Sequence, residues 1–217
     1  IGVCAARANH STKVIIDLHE YATREMEGGL HWTWERKPVV TRALKSLARY
    51  ANGAVTVADS FAPLMRKEFK MKRPIVVHNA PELTPLPPRA PRTDEKIHLI
   101  HHGGAARTRQ LERMIHAVAK ASDRFVLHFM LTGGPDYIEE LRKITAATCP
   151  DRVVFEQPVK PGEIVAAISR YDLGVYILPP ITFNDLHAMP NKFFDFVGAG
   201  LPVAVAPSVN MARITQE

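Results

Sequence analysis

Residues His187 to Val205 read HAMPNKFFDFVGAGLPVAV, and their local chemistry decides how the rest of the chain is read. Pro190 precedes Asn191 and Lys192, and the apolar residues Phe193, Phe194, Phe196 and Val197 follow. Proline is tolerated at a first helical turn, where its missing N–H would have no intrahelical partner in any case. Gly200 is expected to close the helix in a left-handed conformation, and Pro202 prevents its continuation. Val203 to Val205 then read as a short buried strand. The stretch is therefore a loop, a short helix, a Gly-Pro turn and a strand. A helix N-terminus carries free N–H groups and a partial positive charge, and here Lys192 stands beside them, so an anion is the natural ligand. Asp195 lies one turn further along. A plainer reading of the same residues is a surface helix whose lysine and aspartate are only solvated.

The full chain of 217 residues exceeds a typical single domain and is long enough for two small ones. With 46% hydrophobic and 23% charged residues it has the composition of a packed globular protein. No apolar run approaches the length of a membrane-spanning helix. The opening IGVCAARANHS is too short and too quickly polar for a signal peptide and looks like a helix entered mid-way. Cys4 and Cys149 lack ligand spacing and are expected to be free thiols in a reducing, cytoplasmic compartment. The net charge of +6 suits a phosphate-bearing partner: a nucleotide, an anionic membrane or a nucleic acid. The charge is concentrated at Arg36, Lys37, Arg42, Lys45 and Arg49 and again at Arg66, Lys67, Lys70, Lys72 and Arg73. No basic-aromatic strand pattern or recognition helix accompanies it, which argues against nucleic acid.

Taken in order, KVIIDL (Lys13 to Leu18) reads as a strand buried on both faces, ending at His19 and Glu20. Ligands of open α/β sheets sit beyond the carboxyl ends of strands. A histidine there also serves as a cap or satisfies a loop carbonyl. Tyr21 to Pro38, with Gly28, Gly29, Trp32 and Trp34, is either an acceptor-side loop or a helix end packed by its aromatics. Val39 to Asn52 is an amphipathic helix whose basic face is either solvated or rests on anionic lipid, with Trp32 or Trp34 as an interfacial anchor. Ala54 to Ala58 is a second strand, Asp59-Ser60 caps a helix over Phe61 to Phe69, and Pro74 to His78 is a third strand. The proline-rich stretch 81–95 reads as an interdomain linker.

Beyond it, Ile97 to Ile100 is a strand leading into His101-His102-Gly103-Gly104 and a helix from about Arg109. Glycines after a strand let backbone N–H groups approach an anion. Strands at Phe125 to Thr132, Val153 to Glu156 and Asp172 to Leu178 alternate with helices at Tyr137 to Ala147 and Pro161 to Ser169. This spacing predicts a doubly wound parallel α/β domain. Pro179 to Leu186 reads as an irregular loop.

The run PNKFFDFVGAGLPV closely resembles the donor-binding signature of family-4 retaining glycosyltransferases, enzymes of the GT-B fold. Three other stretches are similar to that family: Asp17-Leu18-His19-Glu20, the Asn79-Ala80-Pro81 domain crossing, and HHGGAARTRQLERMIHA. The resemblance runs from about Val14 to Val205. It implies two Rossmann-like domains with parallel sheets: residues 1–80 as the later part of an incomplete acceptor-side domain, 81–95 as linker, and 96–217 as a truncated donor domain. It implies metal-independent transfer of a hexosyl group from a nucleotide-diphosphate sugar to a carbohydrate or lipid-linked acceptor hydroxyl, with retention and with no cofactor.

The donor would be held by Gly103, Gly104, Arg109, Gly133, Val159, Asn191, Lys192 and Asp195. Arg109 and Lys192 would meet the diphosphate, Asp195 the ribose, and the Pro158-Val159 turn the base. His19 and Glu20 would face the sugar or acceptor across an interdomain cleft. Glu112 is expected to support its helix or the arginine. Two positions depart from the pattern. Asp195 stands where a glutamate is usual, one methylene shorter. Eight residues before it stands His187 where many members have a glutamate, so no role of that glutamate carries over. Peripheral contact with the inner face of a membrane is the implied extra partner, with no nucleic acid. A non-catalytic GT-B-like binding protein and a sugar-nucleotide epimerase are the competing readings.

Overall fold

A computed structural model describes residues 12–25, 29–89, 94–177 and 179–216; Cys4 and Gly28 lie outside them. The chain divides into two compact units, Ile1–Asn79 with Pro180–Met189 and Pro207–Glu217, and Ala80–Pro179 with Pro190–Ala206. The expected division near residue 80 therefore differs in one respect. Two later segments, expected to belong with 96–217, fold with the first unit.

The first unit holds a parallel three-stranded sheet, β1 (Ile15–Leu18), β2 (Gly53–Thr56) and β3 (Ile75–Val76), in that order. Ile15 pairs with Gly53 and Val55 with Ile75. Among the described residues β1 stands at one end of the strand order, and there Ile15 is 69% exposed and Leu18 buried. Helix α1 (Lys37–Tyr50) enters through a π-helical turn at Trp32–Arg36 and has no buried residue. Helix α2 (Phe61–Phe69) buries Phe61, Ala62, Met65 and Phe69. Ser60 makes no side-chain cap for it; its hydroxyl is held by His187 Nδ1 and Asn210 Nδ2, each at 2.8 Å. Residues 180–186 are not irregular throughout. Thr182 and Asp185 form a reciprocal capping box for the short helix α3 (Phe183–Leu186). Phe183 packs on Tyr21, Phe61 and His187, with Arg24 3.7 Å above its ring.

The second unit is a five-stranded parallel sheet in the order β6-β5-β4-β7-β8: β4 (Ile97–Gly104), β5 (Phe125–Thr132), β6 (Val153–Glu156), β7 (Leu173–Tyr176) and β8 (Val203–Val205). Four helices accompany it: α4 (Glu112–Lys120), α5 (Pro135–Thr148), α6 (Ile164–Ile168) and α7 (Asn191–Gly198). The chain ends in α8 (Val209–Gln216), part of the first unit. Side chains alternate across a strand. Leu99, Leu127, Phe129 and Leu131 join Met114, Ile115, Val118 and Leu141 of α4 and α5 in one apolar cluster. The neighbouring positions His98, His102, His128 and Glu156 fall on the opposite face. Cys149 is a buried free thiol whose burial pushes its pKa up. No helix among the described residues is long and apolar enough to cross a membrane.

Candidate functional site

Strand β4 is longer than expected. His101, His102 and Gly103 are paired strand residues, opposite Phe129, Met130 and Leu131 of β5, rather than the start of a loop. The chain leaves β4 only at Gly104, makes a tight turn at Arg107–Arg109, passes Gln110 in a left-handed conformation (φ 49°) and starts α4 at Glu112. This delay puts Arg109 back over the strand end, where its Nη1 donates to Gly104 O at 3.0 Å. Arg107 is directed elsewhere. It pairs with Glu140 and lies over the Tyr137 ring at 5.1 Å. Glu112 accepts from Tyr137 Oη, not from the arginine, and Tyr137 Oη in turn accepts from Leu111 N at 2.8 Å. Burial first, and then the hydrogen bond to the Glu112 carboxylate, push the tyrosine hydroxyl up to about 12.

Helix α7 approaches the same strand end from the other side. Its C-terminus has the expected geometry: Gly200 is left-handed (φ 67°), with Gly200 N bonded to Val197 O and Leu201 N to Phe196 O. Phe196 lies against Gly174 of β7 so closely that a Cβ there would overlap its ring. This contact seats the helix, and its first turn delivers Lys192 to β4. The lysine is only 7% exposed. A Cβ on Gly103 would lie 2.8 Å from Lys192 Nζ and 3.8 Å from Arg109 Nη1, and Gly103 has φ 116°, so only glycine fits. Lys192 Nζ sits 4.9 Å over the Tyr176 ring. Burial first, and then the charge of Arg109, lower the lysine pKa to about 7, against a smaller opposing pull from Asp195.

Asp195 is raised above the usual carboxylate range by burial, which the lysine partly offsets. Its Oδ2 is 3.5 Å from Nε2 of buried His102, without hydrogen-bond geometry. His102 stacks edge-on to Phe196 at 5.2 Å. His101 gives its Nδ1 hydrogen to Val175 O at 2.9 Å and lies parallel to Tyr176. Burial, assisted by Lys192, lowers His101 to about 3 and His102 to about 4, so both are neutral imidazoles at ordinary pH.

Gly103, Gly104, Arg109, Lys192 and Asp195 thus converge, and Asn191 opens the helix as an exposed residue beside Lys192. Gly133 (φ 66°) follows the end of the adjacent β5. Val159 lies past the end of β6, two strands from β4 in sheet order. His19 and Glu20 belong to the first unit, exposed beyond the end of β1, where His19 Nε2 donates to Asp17 Oδ2 at 2.8 Å instead of capping a helix. His102, His101 and Tyr176 were not foreseen as site residues. The period-2 pattern of IHLIHHGG would have found the histidines had the strand been carried through to its glycines.

A second polar array occupies the same sheet face as His102. Asp94 Oδ2, His98, His128 and Glu156 Oε1 form a chain with separations of 3.1, 2.7 and 2.8 Å. No group of three or more His, Cys, Asp or Glu among the described residues is placed to hold a metal.

No family model matches the sequence and no curated protein matches it. Solved structures do. HepE of Anabaena, in complex with UDP-glucose, aligns with a TM-score of 0.69 at 14% identity over 98% of this chain and 58% of its own. TarM of S. aureus, in a mutant complex with fondaparinux, α-GlcNAc-glycerol and UDP, aligns at 0.64 and 11% identity over 91% of this chain and 37% of its own. The lipopolysaccharide outer core galactosyltransferase WaaB aligns at 0.54 and 12% identity over 74% of this chain and 44% of its own. The fold is GT-B-like, with Rossmann-like units. The chain spans between 37% and 58% of the length of these solved chains.

Proposed function

We propose that this chain is the donor-binding part, with a portion of the acceptor side, of a glycosyltransferase that uses a nucleotide-diphosphate sugar. The observation that carries the reading is the convergence of Arg109 and of Lys192, from the first turn of α7, on Gly103 and Gly104 at the end of β4. Two cations brought to one point stabilise charge as it develops on a departing diphosphate. That supply of positive charge supports transfer without a metal. Asp195, one turn along, suits the ribose hydroxyls as an acceptor of hydrogen bonds. The turn at Val159 is assigned to the base, and Gly133 to the donor as a whole, by resemblance to the family. Relatives in fold solved with UDP and UDP-glucose support the same donor class.

In the proposed reaction the bond from the sugar's anomeric carbon to the phosphate oxygen breaks. A bond to the acceptor oxygen forms on the same face, which retains the configuration, and the acceptor's proton passes to the departing phosphate. His19, its ring fixed by Asp17, and Glu20 are assigned to the sugar and acceptor. Isothermal titration of the full-length protein against a panel of nucleotide-sugars tests the reading. Binding of one donor, lost in Lys192→Ala, supports it; silence across the panel overturns it. Product NMR of the anomeric centre then decides retention, and activity persisting in EDTA decides metal independence.

The acceptor is proposed to be lipid-linked, presented at an anionic membrane. In the first unit Leu30, Trp34 and Val39 are exposed, Trp34 at 77%, beside Arg36, Arg42, Lys45 and Arg49, whereas Trp32 is buried and is no anchor. Co-sedimentation with anionic vesicles should weaken in Trp34→Ala and in Arg42/Lys45/Arg49→Glu. Unchanged binding removes the membrane from the proposal.

A further inference from the structure

We propose that Lys192, buried against Gly103, Arg109 and the ring of Tyr176 with no counter-charge bonded to it, takes up one proton when the donor's diphosphate enters. This rests on the reading of the site as a donor site and adds its coupling to pH.

The geometry carries the argument. Lys192 Nζ is packed between the backbone of Gly103, the face of Tyr176 and the guanidinium of Arg109. Among the described residues it has no hydrogen-bond or ion-pair partner. Every element packed against it brings a group that bears on its charge. The turn brings Arg109, a fixed positive charge; β4 brings His101 and His102, which stay neutral down to about 3 and about 4. From β7 comes the ring of Tyr176. Its own helix brings Asp195, which is itself desolvated. An ammonium here is thus deprived of water, faces a like charge, and has a single weakened counter-charge. Its pKa of about 7 follows from that arrangement. A doubly charged diphosphate reverses both terms. It neutralises Arg109 and offers oxygens to the amine, so the bound state favours the ammonium.

Only the protonated fraction of the empty site is competent for the anion, and apparent affinity scales with that fraction. With a midpoint of about 7, binding at pH 8 should be about tenfold weaker than at pH 6 and should take up about 0.9 proton. The donor's diphosphate stays ionised across this range, so the proton has to come onto the protein.

The experiment is calorimetric titration of UDP-glucose into the full-length protein at pH 6 and pH 8, in pairs of buffers with different ionisation enthalpies. Buffer-dependent heat equal to nearly one proton at pH 8, little at pH 6, and a roughly tenfold affinity ratio support the proposal. Binding with equal affinity and no proton uptake overturns it and leaves the donor-site reading intact. Silence at both pH values overturns the UDP-glucose reading instead, and inorganic sulfate, fully ionised throughout, then decides the coupling. A tenfold ratio for sulfate supports it; a flat response or no binding overturns it.

Two further readouts separate Lys192 from its neighbours. Lys192→Arg, which cannot lose its charge, should bind with no pH dependence over this range, whereas Asp195→Asn should keep it. In the unsubstituted protein, the Lys192 Cε resonance of ¹³C-labelled lysine should titrate near pH 7 without ligand and above pH 9 with it. A midpoint near 10 in the empty site overturns the proposal whether or not any variant folds.

Discussion

The two faces of the five-stranded sheet are built from the same strands and do opposite things. One face of β4 and β5 is Leu99, Leu127, Phe129 and Leu131, sealed by α4 and α5. The other carries His98, His102, His128 and Glu156. The first face can be dry because dispersion and burial are all that it requires. The second has polar groups to accommodate, and burial lowers the pKa of His102 and His128, favouring their neutral forms. Alternation separates Leu99, Leu127 and Phe129 from His98, His102 and His128, but buried Ile100 and Met130 share the second parity and His101 and Gly103 the first, so the site draws on both. Gly174 matters because it lets Phe196 seat α7, and Gly103 because its missing side chain leaves room for Lys192.

Acid should break this division most severely. In the unfolded chain each imidazole takes a proton near pH 6.5, whereas folded His102 and His101 resist until about 4 and about 3. The unfolded state binds more protons between those values. The stability these histidines allow is therefore complete above pH 6.5 and is lost as pH falls toward 3. Urea midpoints measured from pH 7 to pH 4 should decline, and the decline should be shallower in His101→Phe.

Phe129→Ala, on the dry face, is expected to remove about 3–5 kcal/mol of stability by urea titration. Lys192→Met probes the polar face with the opposite sign. It replaces a buried amine that has no bonded counter-charge by a slightly shorter thioether, and the melting temperature should rise, by the equivalent of about 1–3 kcal/mol, while donor binding disappears. Gly174→Ala pushes Phe196 off β7 and should lose about 1–3 kcal/mol, with a fall in donor affinity although the site is untouched. The smallest effect sharpens the contrast between two neighbouring arginines. Arg107, exposed and paired with Glu140, should cost less than about 1 kcal/mol when changed to alanine and leave affinity unchanged. Arg109→Ala should abolish it.

How much of this was legible depends on how local each signal is. The end of α7 could be read from Gly200-Leu201-Pro202 because a left-handed cap and a proline stop are properties of those residues alone. The alternation of strands and helices in the second unit was legible for the same reason. The extent of β4 was not. Adjacent glycines at 103 and 104 read as a loop, and only pairing with Leu131 and Thr132 keeps them in the sheet. Likewise the return of 180–189 to the first unit rests on contacts such as His187 with Ser60, 127 residues apart, which no local pattern encodes. Within the site, the lysine and the aspartate were assigned to the donor by resemblance to the glycosyltransferase signature around them. The histidines beneath them were not, since their importance lies in what they refuse to become.

Gly103 has one consequence for how this chain tolerates change. Every missense substitution reachable from a glycine codon by one nucleotide adds a Cβ, and at this position the Cβ meets an amine nitrogen at 2.8 Å on a backbone that L side chains rarely adopt. Such a codon has no conservative neighbours. In a mutational scan scored for donor binding, positions 103 and 174 should appear as isolated columns of total intolerance, while surface positions a few residues away accept most exchanges. The fitness map would then trace the seat of α7 with no structure in hand.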